Sequence, residues 1–386
     1  MPRPRFCRNP ACSNAFAPTP NWLVRDGTYD TLAHGEVQRY RCKRCGKGMG
    51  DQSESMHYYA KRRLDLAAIL SRLRGGSSQR DIGRELRCSR TAVANAVLRL
   101  GRQAIASHAT LLSELCLQPD FAFDGLLSCL CSRDYPAHIT TLVERSHELL
   151  LTMTHAVTER GGKRTPLQHK RISRKRRLYR PTRGALSQSI SLLVHELPRH
   201  AATASLEIHT DEHPLYPSAL KRDLAMQWFA SHKLLRHTRT SSTAARTTAN
   251  PLFAVNYVDR MIRHRIKEHT RESIALGRCA TMQMHRMWIF AWDHNVRQPA
   301  RVAPPGLACR AIAAGARQTM VERLCREFTT RRRSLRGITV EHSLRQVWLA
   351  HLESPPVRWS KPQKRSGPRI THYAKLDLGF ANPQGQ

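Results

Sequence analysis

Two kinds of metal-ligating side chain are spaced for chemistry in this chain. Cys7 and Cys12 are separated by four residues and Cys42 and Cys45 by two, the second pair inside Tyr-Arg-Cys-Lys-Arg-Cys-Gly-Lys. Two short cysteine pairs joined by a loop are what a tetrahedral thiolate site for Zn²⁺ requires. Gly46 after Cys45 suits the positive φ of the turn that lets both sulfurs face one ion. Four thiolates close the coordination shell, which predicts a structural ion. Carboxylates form the second set. Asp124 ends the apolar run Phe-Ala-Phe-Asp-Gly, Asp211 ends Ala-Ser-Leu-Glu-Ile-His-Thr-Asp, and Asp259 follows in Asn256-Tyr-Val-Asp. Such oxygen donors suit hard divalent cations. Cys129 and Cys131 read as ordinary small apolar residues, and the 20 histidines show no His-Glu-x-x-His pattern.

The elements that must position these groups follow from periodicity and turn signals. Residues 1–55 are poor in apolar residues and need a metal to make a ribbon. Residues 56–115 change to helical spacing, with Leu64, Ala67, Ala68 and Leu70 to Leu73 before the Gly75-Gly76 stop. Ser78 opens a capping box with Asp81, Ile82 and Leu86 line a short helix, and Arg87-Cys88-Ser89 makes a turn. Ser89 caps a further helix in which Val93, Val97 and Leu100 face inward. That is a helix-turn-helix, leaving Arg90, Thr91, Asn95 and Arg99 for DNA. From 118 to 300 the predicted order is β-β-β-α-β-α-β-α: strands ending at Asp124, over 138–145, over 148–157, ending at Asp211, and over 232–240. Helices are expected at 184–197 and 216–230, with a long one over 250–269 that carries Asp259. A basic stretch at 161–184 is a DNA-clamping insertion or a disordered loop, the former favoured by its ten cations. Residues 301–386 read as a basic helical region and a loosely ordered Pro- and Lys-rich tail from about Ser354.

Charge narrows the class of partner. Lys plus Arg is 64 against 29 Asp plus Glu, a net +35 spread along the whole chain. A long polyanion met by every domain, double-stranded DNA, fits that distribution. No apolar run approaches membrane-spanning length and no signal segment follows Met1, so the expectation is a cytoplasmic, nucleoid-associated protein without membrane contact. Eleven cysteines, an odd number, fit a metal site better than a disulfide framework.

The ribbon cysteines, the helix-turn-helix at 78–100, Asp124-Gly125, Asp211, the Arg-studded helix 256–271 and the segment Trp292-Asp-His-Asn-Val-Arg297 carry a resemblance over roughly residues 5–300. The chain resembles the DDE transposases of bacterial insertion sequences, whose catalytic domain has the ribonuclease-H-like fold of retroviral integrases. The resemblance implies an α/β architecture with a mixed five-stranded sheet flanked by helices, preceded by a zinc ribbon and an all-α helix-turn-helix domain. It implies that Asp124 and Asp211 are the first two catalytic acids. The third position is usually Glu in that family; here Asp259 is expected, because Glu268 would lie on nearly the opposite helix face at about 100° per residue. Mg²⁺, or Mn²⁺, held by the three acids would activate an attacking oxygen and stabilise the leaving one for strand cleavage and strand transfer. Arg263 and Lys267, four and eight residues past Asp259, are expected on the same face, against DNA. Joining two element ends implies a homo-oligomer on DNA. The competing readings are a DNA-binding regulator, an inactive transposase remnant, and an RNA-directed nuclease of the same fold.

Overall fold

The computed structural model describes residues 3–200, 205–299, 308–336, 338–356 and Ala374. Residues 300–307 and most of the expected tail lie outside them. Contacts divide the chain into two units, the first built on Met1–Ser113 with Glu322–Val340, the second on Glu114–Val321 with the segment from Glu341.

In the first unit, strands β1 (Leu23–Thr31), β2 (Gly35–Cys42) and β3 (Gly48–Gly50) form an antiparallel sheet in that order. Cys7, Cys12, Trp22, Leu23, Tyr40, Cys42 and Met49 cluster on one side of it, a core too small to stand alone. Three helices follow: α1 (Leu66–Arg74), α2 (Gln79–Glu85) and α3 (Arg90–Leu112). The caps are those the sequence predicts. Ser78 Oγ accepts from Asp81 N at 3.2 Å and Ser89 Oγ from Ala92 N at 3.1 Å. Between them Arg87 takes φ +48° to turn the chain. Gly83 lets α2 approach that turn, since a Cβ there would lie 2.8 Å from the Cys88 carbonyl oxygen. The first of the three helices begins at Leu66, capped by Asp65, so Leu64 lies before it.

The second unit is mixed α/β. Strands β4 (Asp120–Leu130), β5 (Ser132–Glu144) and β6 (Leu149–Val157) form an antiparallel meander, and β7 (Leu206–Asp211) and β8 (Leu235–Thr240) join parallel on the other side of β4. The sheet order is β6-β5-β4-β7-β8. Phe121, Phe123, Leu126, Ile139 and Leu142 are fully buried in it. Helices α4 (Pro166–Arg176), α5 (Ala185–Glu196), α6 (Leu215–Arg222), α7 (Leu224–Ser231), α8 (Phe253–Arg265) and α9 (Ala280–Arg297) connect and cover the strands. Short helices α10 (Arg310–Ala313), α11 (Gln318–Glu327) and α12 (His342–Trp348) complete the described residues. No described helix is long and apolar enough to cross a membrane.

Three expectations change, and for the basic stretch the disordered-loop alternative falls. Asp124 lies inside β4, not at its end, because burial continues at Leu126, Ser128 and Leu130 beyond Gly125. The predicted helix over 216–230 breaks at Asp223, whose carboxylate accepts from Ala225 N and Met226 N and so caps a new helix. The helix carrying Asp259 stops at Arg265; Ile266 is extended at φ −116°, and Lys267–His269 form a separate 3₁₀ turn. The basic stretch at 161–184 contains an ordered helix. Thr165 and Gln168 close a capping box at its start, and Arg171 and Lys175 pair with Asp134 at 2.6 Å. Lys170, Arg174 and Arg177 stay exposed on it.

Candidate functional site

Each cysteine pair is set by its own knuckle. Cys12 N donates to Asn9 O at 3.1 Å, and Gly46, at φ +69°, donates to Cys42 O at 2.9 Å. The four sulfurs lie within 4.8 Å of one another, with Cys7 and Cys45 at 3.4 Å and Cys12 and Cys42 at 3.9 Å. Burial pushes the Cys42 thiol up. The backbone N–H of Cys45, the Asn14 amide and the Arg44 N–H outweigh that and hold it below the usual thiol range. Cys7 and Cys12 move the other way, chiefly through burial.

Asp124, Asp211 and Asp259 come from β4, the end of β7 and the middle of α8. The parallel ladder pairs Asp120 with Glu207 and Ala122 with His209; Asp124 and Asp211 stand two residues further along each strand. On the other side of β4, Asp124 is directly opposite Thr141 of β5, and Thr141 Oγ1 donates to Asp259 Oδ1 at 3.4 Å. Strand register thus sets Asp124 and Asp211 on adjoining strands, and Thr141 ties Asp259 to the strand position opposite Asp124. Burial raises the Asp124 carboxyl, and the charge of Asp211 adds to the rise. Asp259 is buried and raised well above the usual carboxylate range, first by desolvation and then by the charge of Asp124. Asp124 Oδ1 accepts from Gly125 N at 2.6 Å and Asp211 Oδ1 from His213 N at 2.9 Å. None of the three makes an ion pair with a described residue. They are looser than the thiols: among the described residues, the sets of ligand atoms within 4.8 Å of one another are the four cysteines and Asp120, Glu207 and His209.

Three residues at this site carried no signal in the sequence. Tyr216 of α6 is buried; burial and then the charges of Asp124, Asp211 and Asp259 push its hydroxyl well above the ordinary range. Its Oη lies 3.5 Å from where a Cβ on Gly125 would be. Thr141 holds Asp259, and Arg246, exposed in the loop before α8, lowers Asp124 and Asp259 through its charge. Tyr216 and Thr141 matter only through tertiary contact; the nearest sequence hint is that Tyr216 lies five residues past Asp211.

The expected DNA contacts divide. Arg90, Thr91 and Asn95 are exposed at the start of α3. Arg99 is half-buried and donates to the carbonyls of Met56 and Tyr58 at 3.0 and 2.7 Å, a packing role. Arg263 stays on α8 and donates to His269 O at 3.0 Å. Lys267 is exposed but off that helix, so the shared face with Asp259 is lost. Glu268 turns inward, 3.7 Å from Arg286. The Trp292–Arg297 segment is a brace. Asp293 pairs with Arg265 at the end of α8 at 2.9 Å, His294 Nε2 meets Glu148 O at 2.9 Å, and Asn295 bonds both backbone groups of Leu150 on β6. No protein-family model matches the chain, and no curated protein matches it either.

Proposed function

We propose that the chain is a DNA transposase that cleaves and joins DNA strands at the Asp124, Asp211 and Asp259 carboxylates. The observation that carries this reading is the gathering of three acids from separate elements, without ion-pair partners, around one buried tyrosine. Two of them, Asp124 and Asp259, are held above their usual range by burial and then by the charge of a neighbouring acid, Asp211 for the first and Asp124 for the second, a state that a bound cation would relieve. Their donors fit Mg²⁺ or Mn²⁺, which take oxygen ligands. Such an ion, when bound, would polarise a phosphodiester and activate the attacking oxygen. The chain's own part is to hold the carboxylates on rigid strands, fix Asp259 through Thr141, and meet phosphates with Arg246. An antiparallel meander extended by two parallel strands beyond its first strand supports a ribonuclease-H-like reading of the second unit. The four thiols fit Zn²⁺: tetrahedral ligation at about 2.3 Å separates sulfurs by roughly 3.8 Å, against 3.4 and 3.9 Å here. With α2 and α3 as a helix-turn-helix, Arg90, Thr91 and Asn95 would read duplex DNA.

The test is Mg²⁺-dependent nicking of DNA that carries the flanking ends of the coding segment, with Asp124→Asn as control. The substitution should abolish cleavage and leave binding intact; loss of both would remove the site assignment. For the ribbon, Cys42→Ser should release zinc and unfold residues 1–55, since such ions contribute about 10–16 kcal/mol to folding; an unchanged fold without zinc would end that claim. The looser spacing of the acids favours one second reading, a DNA-binding regulator with an inert sheet. Specific binding with no cleavage at any Mg²⁺ or Mn²⁺ concentration would select it.

A further inference from the structure

We propose that the face of the ribbon sheet opposite its cysteine core binds single-stranded DNA, with Tyr59 as a stacking platform and Arg39, Arg41 and Lys61 meeting the phosphates. The proposal rests on the nucleic-acid reading above and deepens it: duplex belongs to the start of α3, an unpaired strand to the ribbon. Side chains alternate across a strand, and the pairing of Tyr29 with Val37 places Tyr29, Arg39 and Arg41 on one face, away from Tyr40 and Cys42. A groove of about 1020 Å³ runs over that face, floored by Gly48 and Gly50 and walled by Tyr29, Tyr58, Tyr59 and Lys61. That is the upper end of small-ligand pockets, about 300–1,000 Å³, and leaves room for more than one base.

The rings in this groove are held in place. Gln52 donates to Tyr29 Oη at 2.8 Å, and Gly50 must be bare there, since a Cβ would lie 2.6 Å from that oxygen. The Arg39 guanidinium sits 5.3 Å from the Tyr29 ring centre. The Arg8 and Arg332 guanidiniums lie 5.6 and 5.0 Å from the Tyr58 ring centre, and both donate to Ser53 O. Against that fixed ring, 4.5 Å away, stands Tyr59. Tyr59 is 65% exposed and its backbone takes φ +58°. A bulky side chain in the left-handed region is strained, and such residues persist where the surroundings over-determine them. Here the strain turns an aromatic face to solvent beside exposed cations. Arg41 is paired with Asp26 yet keeps 59% of its side chain exposed. Aromatic faces interleaved with cations are the chemistry that takes unpaired bases on a polyanionic backbone. Duplex DNA hides its base faces and gains nothing from Tyr59.

The experiment uses the full chain with zinc. Fluorescence anisotropy compares a short fluorescein-labelled oligothymidine with a random-sequence duplex of equal length. Tyr59→Ala, exposed and therefore safe for folding, should weaken oligothymidine binding about 5- to 150-fold, the range for one lost base stack, and leave duplex affinity within about twofold. Tyr59→Phe should restore the single-strand affinity. An oligonucleotide carrying iododeoxyuridine should photocrosslink to the peptide holding Tyr59 or Tyr29. Unchanged oligothymidine affinity in Tyr59→Ala, equal weakening of both ligands, or crosslinks confined elsewhere would overturn the proposal. A wild-type chain that binds duplex but not oligothymidine also ends it while sparing the nucleic-acid reading; a chain that binds neither ends both.

Discussion

The same two strands carry acids at both ends of their shared ladder, and the two ends are built differently. At the start of β4 and β7, Asp120 receives two hydrogen bonds from Arg145 Nη1 at 2.8 and 2.9 Å, and His209 Nε2 lies 3.2 Å from Asp120 and 3.4 Å from Glu207. Burial pushes Asp120 up, but its hydrogen bonds to His209 and Arg145 outweigh that and hold its carboxyl below the usual range. Four residues on, Asp124 and Asp211 are hydrogen-bonded to no cation; Arg246 and Arg263 act on Asp124 through their charge alone, and burial and the charge of Asp211 leave it raised. Acids in a fold that already contains their counter-charge serve stability. On the reading proposed above, acids that make no ion pair, in a chain of net +35, are where a counter-charge from outside would bind.

The contrast breaks first on cleavage. Asp124→Asn should reduce Mg²⁺-dependent nicking on the order of a thousandfold or more, several kcal/mol of transition-state stabilisation, while Asp120→Asn leaves it within about fivefold. Comparable losses from both would erase the distinction. Next in size is Arg145→Ala, which removes charged hydrogen bonds at the satisfied end; discounted for partial exposure, it should destabilise the second unit by about 1–2 kcal/mol in urea unfolding without touching nicking beyond that loss.

How far these residues could be read in advance depends on what fixes each of them. Strand and helix positions follow from local periodicity, and the knuckle cysteines from spacing, because turn geometry is itself local. Gly125 reads as a strand end, yet β4 runs past it since Leu126 and Leu130 still face the core. Lys267 reads as helical because nothing in Ile266-Lys267 forbids it; the break comes from how the chain packs. Arg99 reads as a DNA contact because helical spacing cannot reveal the two carbonyls that claim it. Tyr216 and Thr141 become visible only when register lays β5, β4 and α6 side by side.

The pH response sharpens the comparison, because the two ends have opposite signs. Asp120 is lowered, so its contribution is present above roughly 3.9, its unfolded value, and is lost as pH falls through the folded one. Asp259 is raised, so the folded chain keeps a proton that the unfolded chain releases above roughly 3.9, and stability declines as pH climbs toward the folded value. In magnesium-free buffer at pH 7, Asp259→Asn should stabilise the second unit by about 1 kcal/mol and Asp120→Asn should destabilise it, with both differences shrinking toward pH 4. Matching signs in chemical denaturation would contradict the assignment. Smallest is the ligand effect: Mg²⁺ at about ten times its Kd should stabilise by about 1.4 kcal/mol, a Tm rise of about 3–5 °C. Asp124→Asn should remove that rise and Asp120→Asn should keep it.

Asn295 has a consequence of its own. Its side-chain amide accepts from Leu150 N at 3.1 Å and donates to Leu150 O at 2.8 Å, imitating a residue of a neighbouring strand on the outermost strand of the sheet. An open sheet border invites strand pairing with another chain. Asn295 occupies that border at Leu150, so an incoming strand would find this pair of backbone groups already taken.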